Sequence, residues 1–180
     1  MAIAPNCTRQ TFRAPCSAAS GFTLVEMVIT VAVLGIVLAI AVPSMSAMLR
    51  SQRISTASSD VYASLIFARS EAIKRSANVR VCTSGDWAAG WSINATDCSG
   101  TILRQQNALA GVNILQKDGS TAIGDITFQR DGRVTAATPA GGIVVKSAQD
   151  STLKARCVVV DVGGRPNIKT DADNDATNGC

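Results

Sequence analysis

From Met27 to Leu49 the chain carries no charged side chain, a run of 23 residues. A helix needs about 20 residues to cross the hydrocarbon of a bilayer, so this run is long enough to span one. Leu, Ile, Val, Ala and Met dominate it, and Gly35 and Pro43 interrupt it. Membrane helices tolerate such interruptions better than soluble ones. The remainder of the 180 residues leaves room for one compact domain beyond that element.

What precedes the run decides how it is used. Residues 1–21 hold Arg9, Arg13, two prolines and no acid. A secretory signal places its small-residue cleavage site after the apolar stretch. Here Ser17-Ala18-Ala19-Ser20-Gly21 stand before it. Cleavage after Gly21 removes a basic leader and retains the apolar helix. Arg9 and Arg13 hold the leader on the cytoplasmic side, which puts the rest of the chain across the membrane.

Glu26 lies inside the apolar stretch Phe22-Thr23-Leu24-Val25-Glu26-Met27-Val28. An ionisable group there costs up to about 3 kcal/mol unless it finds a partner. The plain reading is a carboxylate snorkelling at the interface. The sharper one is pairing with a positive group, and cleavage creates one: the α-amine of Phe22, in the same chain or in a neighbouring one.

The string Gly21-Phe22-Thr23-Leu24-Val25-Glu26 resembles the leader junction of type IV pilins and type II secretion pseudopilins. The resemblance implies that a prepilin peptidase cuts after Gly21 and that the new N-terminus, Phe22, is methylated. It also implies that Glu26 guides assembly by meeting a neighbour's N-terminus.

Beyond the run, Ile54, Ala57, Val61, Leu65, Ala68 and Ala72 recur at spacings of three and four, the apolar face of a helix. Glu71 precedes Arg75 by four, a favourable helical pair. A helix from Phe22 to Arg75 is about 80 Å long at 1.5 Å per residue. Pro43 is expected to kink or locally melt it. After Asn78 come short strand-like runs: Val79–Thr83, Gly90–Asn94, Ile102–Gln105, Val112–Gln116, Ile126–Gln129, Gly142–Ser147 and Cys157–Asp161. Turn signals separate them at Lys117-Asp118-Gly119-Ser120, Asp131-Gly132 and Gly163-Gly164. Strands without helical spacers imply antiparallel sheets, which would curve against the helix's apolar face.

Ala68-Arg69-Ser70-Glu71-Ala72-Ile73-Lys74-Arg75 resembles the helix segment of the FimT/GspH group of minor pilins and H-type minor pseudopilins. Val81-Cys82, Asp86-Trp87-Ala88-Ala89-Gly90-Trp91, Phe128-Gln129-Arg130-Asp131-Gly132-Arg133, Cys157-Val158-Val159-Val160 and Gly164-Arg165 extend the likeness over residues 21–169. Trp87 and Trp91 read as core residues.

The chain has no histidine, which excludes Ser-His-Asp triads and the zinc-protease motif. No phosphate-binding glycine loop is present. No catalytic residue, cofactor or resident metal is expected. The formal charge of +4 includes Arg9 and Arg13 of the leader, so the balance is mild after processing.

Of six cysteines, Cys82, Cys98, Cys157 and Cys180 remain after cleavage. An even number in a translocated domain points to two disulfides. Four cysteines allow three connectivities. Pairing sequence neighbours, Cys82–Cys98 and Cys157–Cys180, closes loops of about 20 residues, worth on the order of 3 kcal/mol each. A four-cysteine zinc site is the alternative, although no two cysteines stand in a CxxC knuckle.

Some FimT-like pilins bind DNA through a C-terminal Gly-Arg-any-Arg motif. The matching stretch is Gly164-Arg165-Pro166-Asn167-Ile168-Lys169, with Asn167 in place of the second arginine. Arg165 and Lys169 are thus the DNA-contact candidates, against the favoured reading of a solvated turn between two strands. Asp171, Asp173 and Asp175 alternate as calcium-loop carboxylates do, but Ala176 stands where the loop glycine is needed. A solvated, flexible tail is expected there.

The expected fold is α+β: a long N-terminal transmembrane and assembly helix on an antiparallel, two-sheet, sandwich-like domain. Residues 1–21 form the leader, 22–76 the helix (spanning at 27–49) and 77–180 the periplasmic β domain. The expected role is a minor pilin priming or capping a type IV pilus, with a type II secretion pseudopilin and a DNA-uptake pilin as alternatives. Expected partners are the prepilin peptidase, other pilins or pseudopilins and inner-membrane lipid, with DNA not favoured.

Overall fold

The computed structural model describes residues 22–116, 123–135 and 142–172. Helix α1 runs from Leu24 to Arg75. Thr23 starts it: its Oγ1 accepts the Glu26 N–H at 3.2 Å and its carbonyl the Met27 N–H at 3.1 Å. A hydroxyl at this position satisfies an amide that has no partner inside the helix. At the far end Ser76 turns left-handed (φ 51°). There Ala77 N–H donates to the Ala72 carbonyl and Ser76 N–H to that of Ile73, both at 3.2 Å. These are the two bonds of a Schellman stop. Lys74 and Arg75 sit in the last turn, where the carbonyl end of the helix favours cations.

Contrary to the expectation of local melting, the helix continues through Pro43. Proline there removes one bond to the preceding turn, a loss that leaves the neighbouring residues helical.

The chain divides within α1 into two compact units, Met1–Ala41 and Val42–Cys180. In the first, every described side chain from Phe22 to Ala41 is exposed. An 18-residue window of the helix reaches a mean hydropathy of 2.7, apolar enough to cross a membrane.

Among its described residues the second unit contains the rest of α1 and eight strands. They are β1 Val79–Thr83, β2 Trp91–Ala95, β3 Ile102–Gln106, β4 Val112–Gln116, β5 Ile126–Phe128, β6 Ile143–Ser147, β7 Arg156–Val160 and β8 Pro166–Thr170. They form two antiparallel four-stranded sheets, ordered β3-β2-β1-β5 and β4-β6-β7-β8. The helical stripe Ile54, Ala57, Val61, Leu65, Ala68 and Ala72 is buried throughout. It joins Val79, Val81, Ile93, Ile126 and Phe128 of one sheet and Ile114, Ile143, Val145 and Val158 of the other in a single core. Burying each Leu, Ile, Val or Phe contributes about 1.5–3 kcal/mol, so this shared core is what holds helix and sheets together. Val144, Leu115 and Cys157 alternate to the opposite face of the second sheet and form a smaller buried cluster there.

Trp87 and Trp91 lie in the core as expected, with ring centroids 5.3 Å apart. Trp87 Nε1 donates to the Ile123 carbonyl at 3.2 Å, which satisfies its one polar atom.

The segment expected as a solvated turn is strand β8 instead. Pro166 begins it and pairs with Val160, and Thr170 pairs with Arg156. Proline is acceptable at the first position of an edge strand, where no ladder donor is required of it. Asp171, also expected in a solvated tail, is buried instead. It is only 2% exposed, and its N–H donates to the Ala155 carbonyl at 3.1 Å.

Candidate processing and assembly site

The first turn of α1 brings Phe22, Thr23 and Glu26 together. Thr23-x-x-Glu26 is the spacing of a capping box, a signal already visible in the sequence. Only half of that box forms. Thr23 receives the Glu26 N–H, while among the described residues no group hydrogen-bonds or pairs with the Glu26 carboxylate. The helix start, where amide N–H groups give a partial positive charge, is a favourable place for that carboxylate. Phe22 is 73% exposed, and its nitrogen is an amide here because Gly21 precedes it. The positive group expected opposite Glu26 exists only after cleavage. Gly21 lies outside the described residues.

Around the two residues Leu24, Val25, Met27, Val28 and Ile29 are all more than half exposed. An apolar surface of this size needs lipid or another helix to cover it. Chemically the site is an acid set among exposed apolar side chains.

Away from the helix start, Cys82 and Cys98 are joined by a disulfide with Cα atoms 5.6 Å apart. Asp125 completes the one cluster of three metal-binding side chains among the described residues, but there the two sulfurs are spent on each other. Cys157 is disulfide-bonded, and Cys180 lies outside the described residues.

Strand alternation puts Arg165, Asn167 and Lys169 on the exposed side of the β7–β8 hairpin. They line a surface pocket of about 380 Å³ with Asp161. Asp161 Oδ1 accepts the Arg165 N–H at 2.8 Å, so an acid shares the site with the two cations. Asp171 closes β8, and Asp173 and Asp175 lie outside the described residues.

Residues 57–164 match the family model described as Type II transport protein GspH, more than half of the chain. Residues 16–42 match the prokaryotic N-terminal methylation motif. The fold is similar to the type IV minor pilin FimU of Pseudomonas aeruginosa (strain PAO1), solved in two crystal forms. One gives a TM-score of 0.53 at 20% identity over 67% of this chain and 90% of that one. The other gives 0.50 at 21% identity over 66% and 92%. Comparison with curated protein sequences returns no match.

Proposed function

This chain belongs to the GspH family of type IV pilin-like subunits, and we propose that within it the chain acts as a minor pilin that helps to prime or cap a type IV pilus. One observation carries the reading: a carboxylate with no partner among the described residues, in the first turn of an exposed apolar helix that matches the N-terminal methylation motif. The apolar helix and the motif fit anchoring in the inner membrane. The β domain then lies on the periplasmic side, where the Cys82–Cys98 bridge is stable.

In this reading a prepilin peptidase cuts after Gly21 and Phe22 becomes the methylated N-terminus. Glu26 of one subunit then meets the Phe22 amine of its neighbour, and the apolar faces of the helices exchange lipid for each other. The protein is a substrate of processing enzymes and has a structural task. The likeness to a type IV minor pilin supports the pilus as the destination. The description of the matching family supports the alternative, a minor pseudopilin of type II secretion.

Deleting the gene and scoring surface pili and secreted protein side by side separates the two. Lost pili with intact secretion is the expected result, and the reverse assigns the chain to secretion. DNA uptake is a further alternative, supported by Arg165 and Lys169 sharing an exposed side of β8. Titrating the detergent-solubilised full chain with duplex DNA tests it: binding that weakens with salt and on Arg165→Ala favours DNA, and no binding excludes it.

A further inference from the structure

We propose that Asp125 is an electrostatic guard that protects the Cys82–Cys98 disulfide from attack by thiolates. The bridge ties β1 to the loop between β2 and β3. Cys82 is 6% exposed, whereas Cys98 is an exposed residue. The two cysteines line an open, polar cleft of about 450 Å³ with Thr83, Ser84 and Gln105. Burial therefore does not keep a small thiol from Cys98.

Charge does. Asp125 Oδ2 lies 3.1 Å from Cys98 Sγ. A disulfide sulfur has no hydrogen to donate, so the contact is not a hydrogen bond. The Thr83 N–H donates to Asp125 Oδ1 at 3.2 Å, which fixes the orientation of the carboxylate. Among the described residues no cation pairs with Asp125. The loop is held independently of the bridge, because Asn94 Nδ2 donates to the carbonyls of Cys98 at 3.1 Å and Gly100 at 3.3 Å.

Reduction by a thiol proceeds in two exchanges. A thiolate attacks Cys98 Sγ, the S–S bond breaks, and Cys82 leaves as a thiolate that takes up a proton. A second thiolate then attacks the small-molecule sulfur of the mixed disulfide. Cys98 leaves with the electron pair and is protonated, and the two small thiols end as a disulfide. Asp125 repels the first anion on approach and opposes the departure of Cys98 as an anion. Attack at Cys82 also requires Cys98 to leave as a thiolate, so both routes meet the same charge. In a domain that also carries Cys157 and Cys180 such a guard keeps an exposed pair from exchanging with them.

The test uses the full chain in detergent. The bridge is reduced with mercaptoethanesulfonate, an anionic thiol, and with cysteamine, a cationic one. Each rate is normalised to the same thiol's rate on a small neutral disulfide, and free Cys82 and Cys98 are quantified by alkylation and mass spectrometry. The wild-type chain reacts more slowly with the anionic thiol, and the difference shrinks in 0.5 M salt. Asp125→Asn accelerates the anionic reaction about five- to tenfold and the cationic reaction much less, while Asp125→Glu stays near the wild-type rates. Equal normalised rates for the two thiols on the wild-type chain overturn the proposal, whether or not the variants fold. So does an equal acceleration of both in Asp125→Asn, which signals a loosened loop and not a lost charge.

Discussion

Gly164, in the β7–β8 turn, packs directly against the carbonyl oxygen of Gly132, in the turn after β5, so a methyl group on Gly164 would run into that oxygen. The same carbonyl accepts a hydrogen bond from Arg69 Nε at 3.2 Å. One backbone oxygen thus ties α1, the end of one sheet and a hairpin of the other. Gly164 also has φ 75°, a left-handed conformation that costs a non-glycine residue about 1–2 kcal/mol. Gly164→Ala adds the collision to that strain and should destabilise the domain by about 2–4 kcal/mol. Urea unfolding followed by the emission of buried Trp87 and Trp91 measures it. An unchanged midpoint contradicts the contact.

The end of α1 gives a change of opposite sign. Ser76 occupies, with φ 51°, the position where glycine is preferred in a Schellman stop. Its hydroxyl has no hydrogen-bond partner among the described residues, so Ser76→Gly removes strain without removing a bond. The expected effect is a stabilisation of up to about 1 kcal/mol in the same unfolding experiment, reduced by glycine's greater freedom in the unfolded chain.

The contrast between these two sites and the rest of the fold shows what a sequence exposes. The stripe from Ile54 to Ala72 is legible because helical spacing alone brings those residues to one face, and every one of them is buried. Strands β1 and β4 have the expected limits because apolar runs there end at turn signals. Strand β8 was hidden because Gly163-Gly164 and Pro166 are breakers locally, and only pairing with β7 makes the segment a strand. Asp171 reads as a tail carboxylate until its amide is seen bound to Ala155, sixteen positions earlier. The capping half of the helix start lay within one turn of sequence, in Thr23 and Glu26. The Asp125 contact with Cys98 lies 27 residues apart, beyond what local pattern reports.

Acid should weaken the domain through a small set of carboxylates. Hydrogen bonds from the Thr152 hydroxyl and N–H, with a further contribution from Arg50 at 3.4 Å, hold the Asp150 carboxyl below its ordinary value of 3.8. The Arg75 guanidinium, 2.6 Å away, lowers Glu71 below its ordinary 4.5, and Ser99 lowers Asp97 below 3.8. A lowered folded value means that the contribution is complete above the ordinary value and is lost as pH falls through the folded one. The urea midpoint should therefore hold between pH 7 and 5 and fall once pH drops below about 4.5. Asp150→Asn should lower the midpoint at pH 7 and make the acid fall shallower. All three groups lie near the surface, so the change is small and should shrink in high salt.

The last expectation concerns Glu26. Its carboxylate has no partner among the described residues, and the Phe22 amine appears only once the Gly21–Phe22 bond is cut. Cleavage should not need the carboxylate, whereas pairing between subunits should. Glu26→Ala is thus expected to mature to the wild-type N-terminus, read by mass spectrometry, yet to enter sheared filaments at a level about tenfold lower or less. A tenfold loss corresponds to about 1.4 kcal/mol of interaction, a modest value for a charge pair shielded from water. Glu26→Gln keeps the shape and should fail in the same way, because the charge and not the volume is being read. Gly21→Leu should behave differently and leave full-length precursor in the membrane. Filament levels of Glu26→Ala equal to wild type would remove the pairing role. Accumulation of uncleaved Glu26→Ala would move that role from assembly to processing.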